Sequence, residues 1–248
     1  MTSRPARDPA DANAVAHLFV DALDDRCEVT GDDGHHLRRV RRLTPGEFVT
    51  AADGSGAWRS YEVTDVATGR LTLAARGDVE RACEPHIGVS LAVALTKGGL
   101  DDVVAAVTEL GVERVTPVRT ARAVVRWDDR RAQRAVARLR SVAREAAMQS
   151  RRARIPVVDE VVDLAAVAER SGVVVADRAG VAASELAPPG AAGWTVLVGP
   201  EGGLAPDELA ALTRAPRLRL GPNVLRARTA PLAAVAVLTA AAVRMRPE

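Results

Sequence analysis

Aromatic residues are nearly missing from this chain, at 2% of 248 residues, so its core must be built from Ala, Val and Leu. Contact with nucleic acid would then depend on arginine more than on stacking of bases against aromatic rings. Lysine is scarcer still: Lys97 is the single lysine among the 34 basic residues, and all the others are arginines. Such an arginine bias is typical of a GC-rich coding sequence, so no single arginine is informative by its type alone.

The sequence is also poor in cysteines and in long apolar segments. Cys27 and Cys83 have no metal-ligand spacing and do not suggest a disulfide framework, which favours reduced thiols and no metal site. The start of the chain has no apolar segment of the signal-peptide kind. The longest apolar run, residues 231–243, is shorter than the roughly 20 residues that span a bilayer. The sequence therefore predicts a soluble, cytoplasmic protein with no membrane partner.

Charge is unevenly distributed, although the net charge is only +2. Residues 114–155 contain thirteen arginines against three acidic residues. A segment of that density is suited to face a polyanion, which favours contact with nucleic acid. The alternative is a solvated helix face in an arginine-rich chain.

The first third of the chain has the pattern of a small β-rich domain. Short strands are predicted near residues 47–51, 58–66 and 70–74, with a turn at residues 52–56. A short helix at residues 34–43 has one apolar face and leaves arginines for the other. This pattern favours a small β-barrel with a basic edge.

Strands and helices alternate in the rest of the chain, and the links between them are short. This order predicts an α/β domain with a mostly parallel sheet, whose ligands bind beyond the carboxyl ends of the strands. The predicted strands are residues 89–95, 115–118, 173–176, 195–198 and 217–220, and the predicted helices are residues 100–110, 129–152, 206–212 and 231–243.

The long helix at residues 129–152 is amphipathic. Its predicted buried stripe consists of Val136, Leu139, Val142 or Ala143, and Ala146. Arg130, Arg134 and Arg138 follow one another at i, i+4 and i+8 on another face. Such a row costs a few tenths of a kcal/mol per pair unless an anion offsets it, which favours a phosphate partner.

A glycine loop, residues 199–203 (Gly-Pro-Glu-Gly-Gly), follows a predicted strand and precedes a helix. Its glycines permit positive φ and let a ligand approach the backbone closely. The loop has no Lys and no Ser or Thr for a magnesium ion, and its glycine spacing does not fit a dinucleotide site. It therefore suits a neutral or zwitterionic ligand, and the alternative is an ordinary tight turn between strand and helix.

A second Gly-Pro turn ends the next predicted strand, within Leu-Arg-Leu-Gly-Pro-Asn-Val-Leu-Arg-Ala-Arg-Thr-Ala at residues 218–230. The two turns could form opposing walls of one pocket. Together they resemble the signature pair of the SPOUT methyltransferases of the RsmE type, which methylate N3 of a uridine in small-subunit (16S) ribosomal RNA.

The resemblance extends over nearly the whole chain. Residues 96–124 are similar to the family's first strand, helix and second strand, and residues 143–158 to the end of its arginine-rich helix. Residues 35–47 resemble the family's PUA-like RNA-binding barrel. The resemblance implies a PUA-like domain at residues 1–84 and a SPOUT domain at residues 85–248, a C-terminal trefoil knot, and a homodimer.

The resemblance also implies an S-adenosylmethionine site built from both turns. The implied cofactor-binding residues are Leu197, Val198, Gly199, Gly202, Gly203, Leu218, Leu220, Gly221, Val224, Leu225 and Thr229. The implied contacts with ribosomal RNA are Arg38, Arg39, Arg41, Arg42, Arg122, Arg144 and Arg152.

Two residues are candidates for the chemistry. Arg226, which matches the family's Leu-Arg motif, would bind a backbone phosphate or a uracil carbonyl oxygen and stabilise the anion that forms. Glu201 would orient the base or accept the N3 proton, and the alternative is a structural cap on loop amides. The chain departs from the family at Asn223, where Arg is usual, and at Arg228, where Glu is usual.

Two other functions remain open from the sequence. One is a SPOUT methyltransferase that acts on another RNA base or on transfer RNA. The other is a non-catalytic RNA binder of the ribosome that keeps the fold and has lost the chemistry. The intact glycine loop argues against that loss, because a simple binder needs no cofactor pocket.

Overall fold

The structure is a computed structural model that describes residues 8–30, 43–67, 69–83 and 87–245. The chain divides into two compact units. The first comprises residues 1–84 and 147–155, and the second comprises residues 85–146 and 156–248. The helix predicted at residues 34–43 lies outside the described residues, apart from its last residue, Leu43.

The described part of the first unit is a five-stranded, largely antiparallel sheet in the order β1-β3-β4-β5-β2. Its strands are β1 (Ala16–Phe19), β2 (Arg26–Thr30), β3 (Phe48–Ala52), β4 (Ala57–Ala67) and β5 (Arg70–Arg81). Among the strand pairs described in this unit, only β1 and β3 run parallel to each other.

One core cluster of this sheet is mainly aliphatic and surrounds the aromatic ring of Tyr61. Tyr61 and Val63 of β4 are fully buried and pack with Leu18, Val49 and Leu73 from the neighbouring strands. Alternation of buried and exposed residues along β2 is the pattern of a sheet that faces a core on one side only.

Residues 147–155 close onto this sheet within the same unit. The Ile155 amide donates to the Gly54 carbonyl oxygen at 3.0 Å, and the Gly56 amide donates to the Ala153 carbonyl oxygen at 3.2 Å. The buried His17 ring donates from Nε2 to the Arg152 carbonyl oxygen at 3.0 Å. The segment is thereby attached both to a turn and to a buried side chain.

The second unit contains a parallel sheet. Its described strands follow the order β12-β10-β11-β6-β7-β8, and β9 also pairs with β7. The strands are β6 (Val89–Ala94), β7 (Arg114–Arg119), β8 (Val157–Val158), β9 (Val162–Asp163), β10 (Val173–Val181), β11 (Trp194–Val198) and β12 (Arg217–Leu218).

Five α-helices are described in this part of the chain, and the last three residues of the second helix belong to the first unit. They are α1 (Leu100–Glu109), α2 (Asp129–Gln149), α3 (Leu164–Ala168), α4 (Pro206–Ala211) and α5 (Thr229–Arg244). Helix α5 packs against α1, β6 and β11, and it buries Ala234, Val235 and Leu238.

The predicted stripe on α2 is confirmed, because Val136, Leu139, Ala143 and Ala146 are buried. The prediction that this helix runs to about residue 152 is wrong. The chain leaves the helix at Arg151, whose φ is 56°, and the Arg152 amide donates back to the Ala147 carbonyl oxygen at 2.9 Å. This is a Schellman-type end, in which a left-handed residue satisfies the last carbonyl groups of the helix.

The predicted strand-rich first part and parallel α/β second part are confirmed. Two strands of the first unit, β1 and β2, were not predicted. In the second unit β8, β9 and α3 were also missed, because elements of two to five residues carry too little periodicity to be recognised. None of the described helices is long and apolar enough to cross a membrane.

Candidate active site

A cavity of about 520 Å³ opens at the carboxyl edge of the parallel sheet. Three chain segments surround it: residues 175–178 of β10, the glycine loop after β11, and residues 220–230 after β12. Its lining residues are Val175, Ala176, Asp177, Arg178, Val198, Gly199, Pro200, Glu201, Gly203, Leu204, Leu209, Arg217, Leu220, Gly221, Asn223, Val224, Leu225, Arg226, Ala227 and Ala230.

The glycine loop is a tight turn, and hydrogen bonds hold its backbone and the start of the helix that follows it. The Gly203 amide donates to the Pro200 carbonyl oxygen at 2.9 Å, and Gly203 has a φ of 70°, which a residue with a side chain rarely adopts. At the start of α4 the Ala205 amide donates to the Glu208 carboxylate at 2.7 Å. Glu208, rather than Glu201, therefore caps the backbone amide at this helix start.

The second wall ends in the first turn of α5. The amides of Thr229 and Ala230 both donate to the Arg226 carbonyl oxygen, each at 2.9 Å. The backbone of Arg226 is therefore held by the helix, while its exposed side chain lines the cavity.

The third wall, residues 175–178 of β10, was not predicted. Asp177 accepts a hydrogen bond from Arg217 at 2.9 Å and from the Ala179 amide at 2.9 Å. The approach of β10 to β12 requires Gly180, because a Cβ there would lie 2.4 Å from the carbonyl group of Arg217. No signal within residues 173–181 could have found this wall, because its place depends on the order of strands in the sheet.

The structure brings most of the predicted cofactor residues to this cavity. Seven of them line it: Val198, Gly199, Gly203, Leu220, Gly221, Val224 and Leu225. Leu197 and Leu218 are fully buried beneath it, and Gly202 and Thr229 are not part of the described lining. Glu201 and Arg226, the two candidates for the chemistry, face the same cavity.

The glutamate of the glycine loop is available to a ligand. The Glu201 side chain is exposed and accepts no hydrogen bond from any described residue. It therefore does not act as a cap on loop amides, which was the alternative to a role in binding or proton transfer.

Arg228 points away from the cavity. Its Nη1 donates to the Asp102 carboxylate at 3.5 Å, and its guanidinium lies against Gly99, where a Cβ would be 2.3 Å from Nε. Gly99 has a φ of 82° and precedes α1 directly. The unusual arginine at this position thus contacts the start of α1, whereas Asn223, the other departure, lines the cavity.

The predicted RNA-binding arginines differ in how exposed their side chains are. Arg122 is exposed and donates to the Gly202 carbonyl oxygen at 3.3 Å, while Arg144 and Arg152 are half-buried. Arg38, Arg39, Arg41 and Arg42 lie outside the described residues.

The arginine row on α2 is partly neutralised within the protein. Arg138 forms an ion pair with Asp101 at 2.6 Å, while Arg130 and Arg134 are exposed and available to an outside anion. Among the residues that the structure describes, no group of His, Cys, Asp and Glu could hold a metal ion.

Comparison with known proteins gives two family matches. Residues 83–239 match the family described as an RNA methyltransferase domain, and residues 29–74 match the family described as an RNA methyltransferase PUA domain. The first match alone covers more than half of the chain.

Individual relatives agree with these matches. The chain is 39% identical over 246 residues to ribosomal RNA small subunit methyltransferase E of Mycobacterium tuberculosis, covering 91% of this chain and 93% of the relative. It is 29% identical over 226 residues to the protein of that name from Bacillus subtilis, covering 85% and 88%.

A solved structure supports the fold. Ribosomal RNA small subunit methyltransferase E from Neisseria gonorrhoeae, bound to S-adenosyl methionine, superimposes with a TM-score of 0.81 at 23% identity, covering 91% of this chain and 97% of that one. The chain thus belongs to the RNA methyltransferase family that includes ribosomal RNA small subunit methyltransferase E.

Proposed function

We propose that this protein transfers a methyl group from S-adenosylmethionine to N3 of a uridine in small-subunit (16S) ribosomal RNA. The observation that carries the proposal is the cavity, which is lined both by Glu201 of the glycine loop and by Arg226 of the segment after β12. The relative from Mycobacterium tuberculosis, named ribosomal RNA small subunit methyltransferase E, matches 91% of the chain, which supports ribosomal RNA as the substrate class.

The residues present fit S-adenosylmethionine. A volume of about 520 Å³ is that of a small-molecule site. Val198, Leu220 and Leu225 offer apolar surface for the adenine ring, and the glycines let the ligand approach backbone groups closely. The ion pair of Asp177 and Arg217 supplies both charges at the cavity wall, which suits a zwitterionic amino-acid group.

Arg226 is proposed to stabilise the target base as its N3 proton is lost. When bound, S-adenosylmethionine supplies a methyl group on a positively charged sulfur. The guanidinium of Arg226, whose backbone carbonyl is held by the first turn of α5, would donate to a uracil carbonyl oxygen or to the adjacent phosphate. A donor whose backbone is already positioned lowers the barrier, because less order has to be created during the reaction.

Glu201 is proposed to orient the base or to accept the N3 proton. Its carboxylate is exposed in the cavity, and no described residue donates a hydrogen bond to it. Glu201 would work together with Arg226, whose guanidinium would stabilise the uracil anion as the N3 proton leaves. The two residues would therefore act as a pair.

The rest of the chain is proposed to hold the RNA. We assign residues 1–84 to a PUA-like RNA-binding domain and residues 85–248 to a SPOUT domain whose C-terminal segment is knotted. Seven arginines would contact phosphates of the RNA: Arg38, Arg39, Arg41, Arg42, Arg122, Arg144 and Arg152. Because small ribosomal subunits are the partner, the protein would act in the cytoplasm.

A homodimer is proposed from helix α5. The helix is apolar nearly all round: Ala234, Val235 and Leu238 are buried in the core, whereas Leu232 and Val237 are only partly buried against it. Val243 remains 60% exposed on this helix. An apolar second face of this kind is the type of surface that a second copy would cover.

Substitution of Arg226 tests the mechanism. Arg226→Ala should lower turnover on small-subunit RNA by at least about 100-fold, the loss typical of one anion-stabilising donor. Titration calorimetry should find that the variant still binds S-adenosylmethionine, because the cavity walls are unchanged.

Arg214→Ala is the matched control, because Arg214 is also exposed but does not line the described cavity. Its turnover should equal that of the wild type. Undiminished turnover in Arg226→Ala would remove Arg226 from the mechanism. Absence of S-adenosylmethionine binding in the wild type would favour the non-catalytic RNA binder instead.

A further inference from the structure

A second loop is attached to the glycine loop at the same edge of the sheet. This loop, residues 120–128, follows β7 and is named here the arginine loop because it carries Arg122 and Arg126. It exposes Val124, which is 80% accessible, as well as both arginines. An exposed loop with two guanidinium groups beside the cavity is well placed to contact RNA phosphates.

Glu208 connects the arginine loop to the start of α4. Its Oε1 accepts a hydrogen bond from the Ala121 amide at 2.8 Å, and its Oε2 accepts one from the Ala205 amide at 2.7 Å. Both carboxylate oxygens are therefore used, one by the arginine loop and one by Ala205, which lies two residues after the glycine loop. Hydrogen bonds to a charged acceptor are the stronger kind, so this bridge holds the arginine loop against the start of α4, the helix that follows the glycine loop.

Arg122 provides a second attachment. Its Nη1 donates to the Gly202 carbonyl oxygen at 3.3 Å, and a Cβ placed on Gly202 would lie 3.5 Å from the Arg122 Cβ and carbonyl oxygen. The backbone of the glycine loop thus packs directly against the arginine loop. A displacement of either loop must be followed by the other.

We propose that Glu208 is a positioning residue that couples RNA binding at the arginine loop to cofactor binding at the glycine loop. The inference rests on the proposed function, since it takes RNA and S-adenosylmethionine as the two ligands. Glu208 touches neither ligand and acts by holding the two loops in one arrangement. RNA that orders the arginine loop then also orders the glycine loop, and each ligand tightens the binding of the other by the same factor.

Asp207 offers a matched control. It is the preceding residue, carries the same charge at the start of the same helix, and hydrogen-bonds to no described residue. Asp207→Asn therefore removes a charge from the helix start without removing the bridge. Glu208→Gln removes the same charge, and its amide can accept a hydrogen bond from only one of the two loops.

The test is equilibrium dialysis of labelled S-adenosylhomocysteine, the demethylated cofactor, with and without saturating small-subunit RNA. The coupling is the ratio of the two dissociation constants within one variant. In the wild type and in Asp207→Asn we expect RNA to tighten binding by about tenfold, within the usual range for coupled sites. In Glu208→Gln the ratio should fall, and in Glu208→Ala it should approach one.

A merely structural role would not give this result. If Glu208 only stabilised α4, its loss would weaken cofactor binding equally with and without RNA, and the ratio would stay at the wild-type value. An unchanged ratio in Glu208→Ala, or a wild-type ratio of one, overturns the inference while leaving the proposed function in place. Failure of the wild type to bind S-adenosylhomocysteine at all would instead reject the proposed function.

Discussion

Lowering the pH should reduce the free energy of unfolding of the first unit, because this unit contains a buried histidine. His17 of β1 is 3% exposed and lies opposite Thr50 of β3, whose hydroxyl is 2.8 Å from Nδ1. Burial lowers the pKa of His17 from 6.5 to about 4, with a smaller contribution from the charge of Arg151, while the hydrogen bond to the Arg152 carbonyl oxygen acts the other way. The ring is therefore neutral in the folded protein well below the pH at which it would protonate in the unfolded chain.

The sign and the size follow from this difference in pKa. Because only the unfolded chain binds a proton between pH 6.5 and pH 4, the free energy of unfolding falls as the pH is lowered through that window. Each pKa unit corresponds to about 1.4 kcal/mol, so the loss attributable to His17 is about 2 kcal/mol at pH 5 and about 3.4 kcal/mol well below pH 4. Above pH 6.5 the contribution is constant.

Urea unfolding of the wild type and of His17→Gln, at pH 7.5 and pH 5, measures this loss. Glutamine is neutral at both values and can still donate to the Arg152 carbonyl oxygen. The stability advantage of the wild type over the variant should be smaller at pH 5 by about 2 kcal/mol. Carboxyl groups titrate equally in both proteins and cancel. An advantage that is the same at both pH values would refute a buried, neutral His17.

Two further predictions concern the second unit. Leu238→Ala should lower the free energy of unfolding by about 3 kcal/mol, because Leu238 of α5 is fully buried and its loss leaves a cavity; a loss below about 1 kcal/mol in urea unfolding would contradict this packing. Arg228→Glu should change stability by less than about 1 kcal/mol, because the pair with Asp102 is exposed. It should also leave methyl transfer nearly unchanged, since Arg228 does not line the described cavity, and a collapse of transfer would refute that placement.

The two Gly-Pro walls of the site could be predicted because their signals are local. Each turn directly follows an apolar strand, and the sequence of each restricts the backbone by itself. The wall at Asp177 could not be predicted in this way. Its place depends on β10 lying between β11 and β12 in the sheet, and no pattern within residues 173–181 encodes the order of strands.

The missed strand β1 has a similar cause. Its four residues are all buried, including His17, so they lack the alternation of polar and apolar residues that marks a half-exposed strand. A histidine can be buried there because Thr50 and the Arg152 carbonyl group supply hydrogen-bond partners that are 33 and 135 residues away. Partners so distant in sequence are visible only in the folded chain.

The end of α2 was misplaced for a related reason. Arginines continue past Gln149, and a run of helix-forming residues predicts that the helix continues too. The chain instead turns at Arg151 so that residues 153–155 can pair with residues 54–56. Tertiary pairing therefore outweighs the local helix preference at this point.

Mass mapping of methylated nucleotides tests the central proposal most directly. Small-subunit RNA from cells that lack the protein would be incubated with the purified protein and methyl-labelled S-adenosylmethionine, digested, and compared with RNA from cells that contain it. We expect one additional methyl group, on N3 of a single uridine, in both the treated RNA and the RNA from protein-containing cells. A methyl group on a ribose or on another base, or no transfer at all, would contradict the proposal.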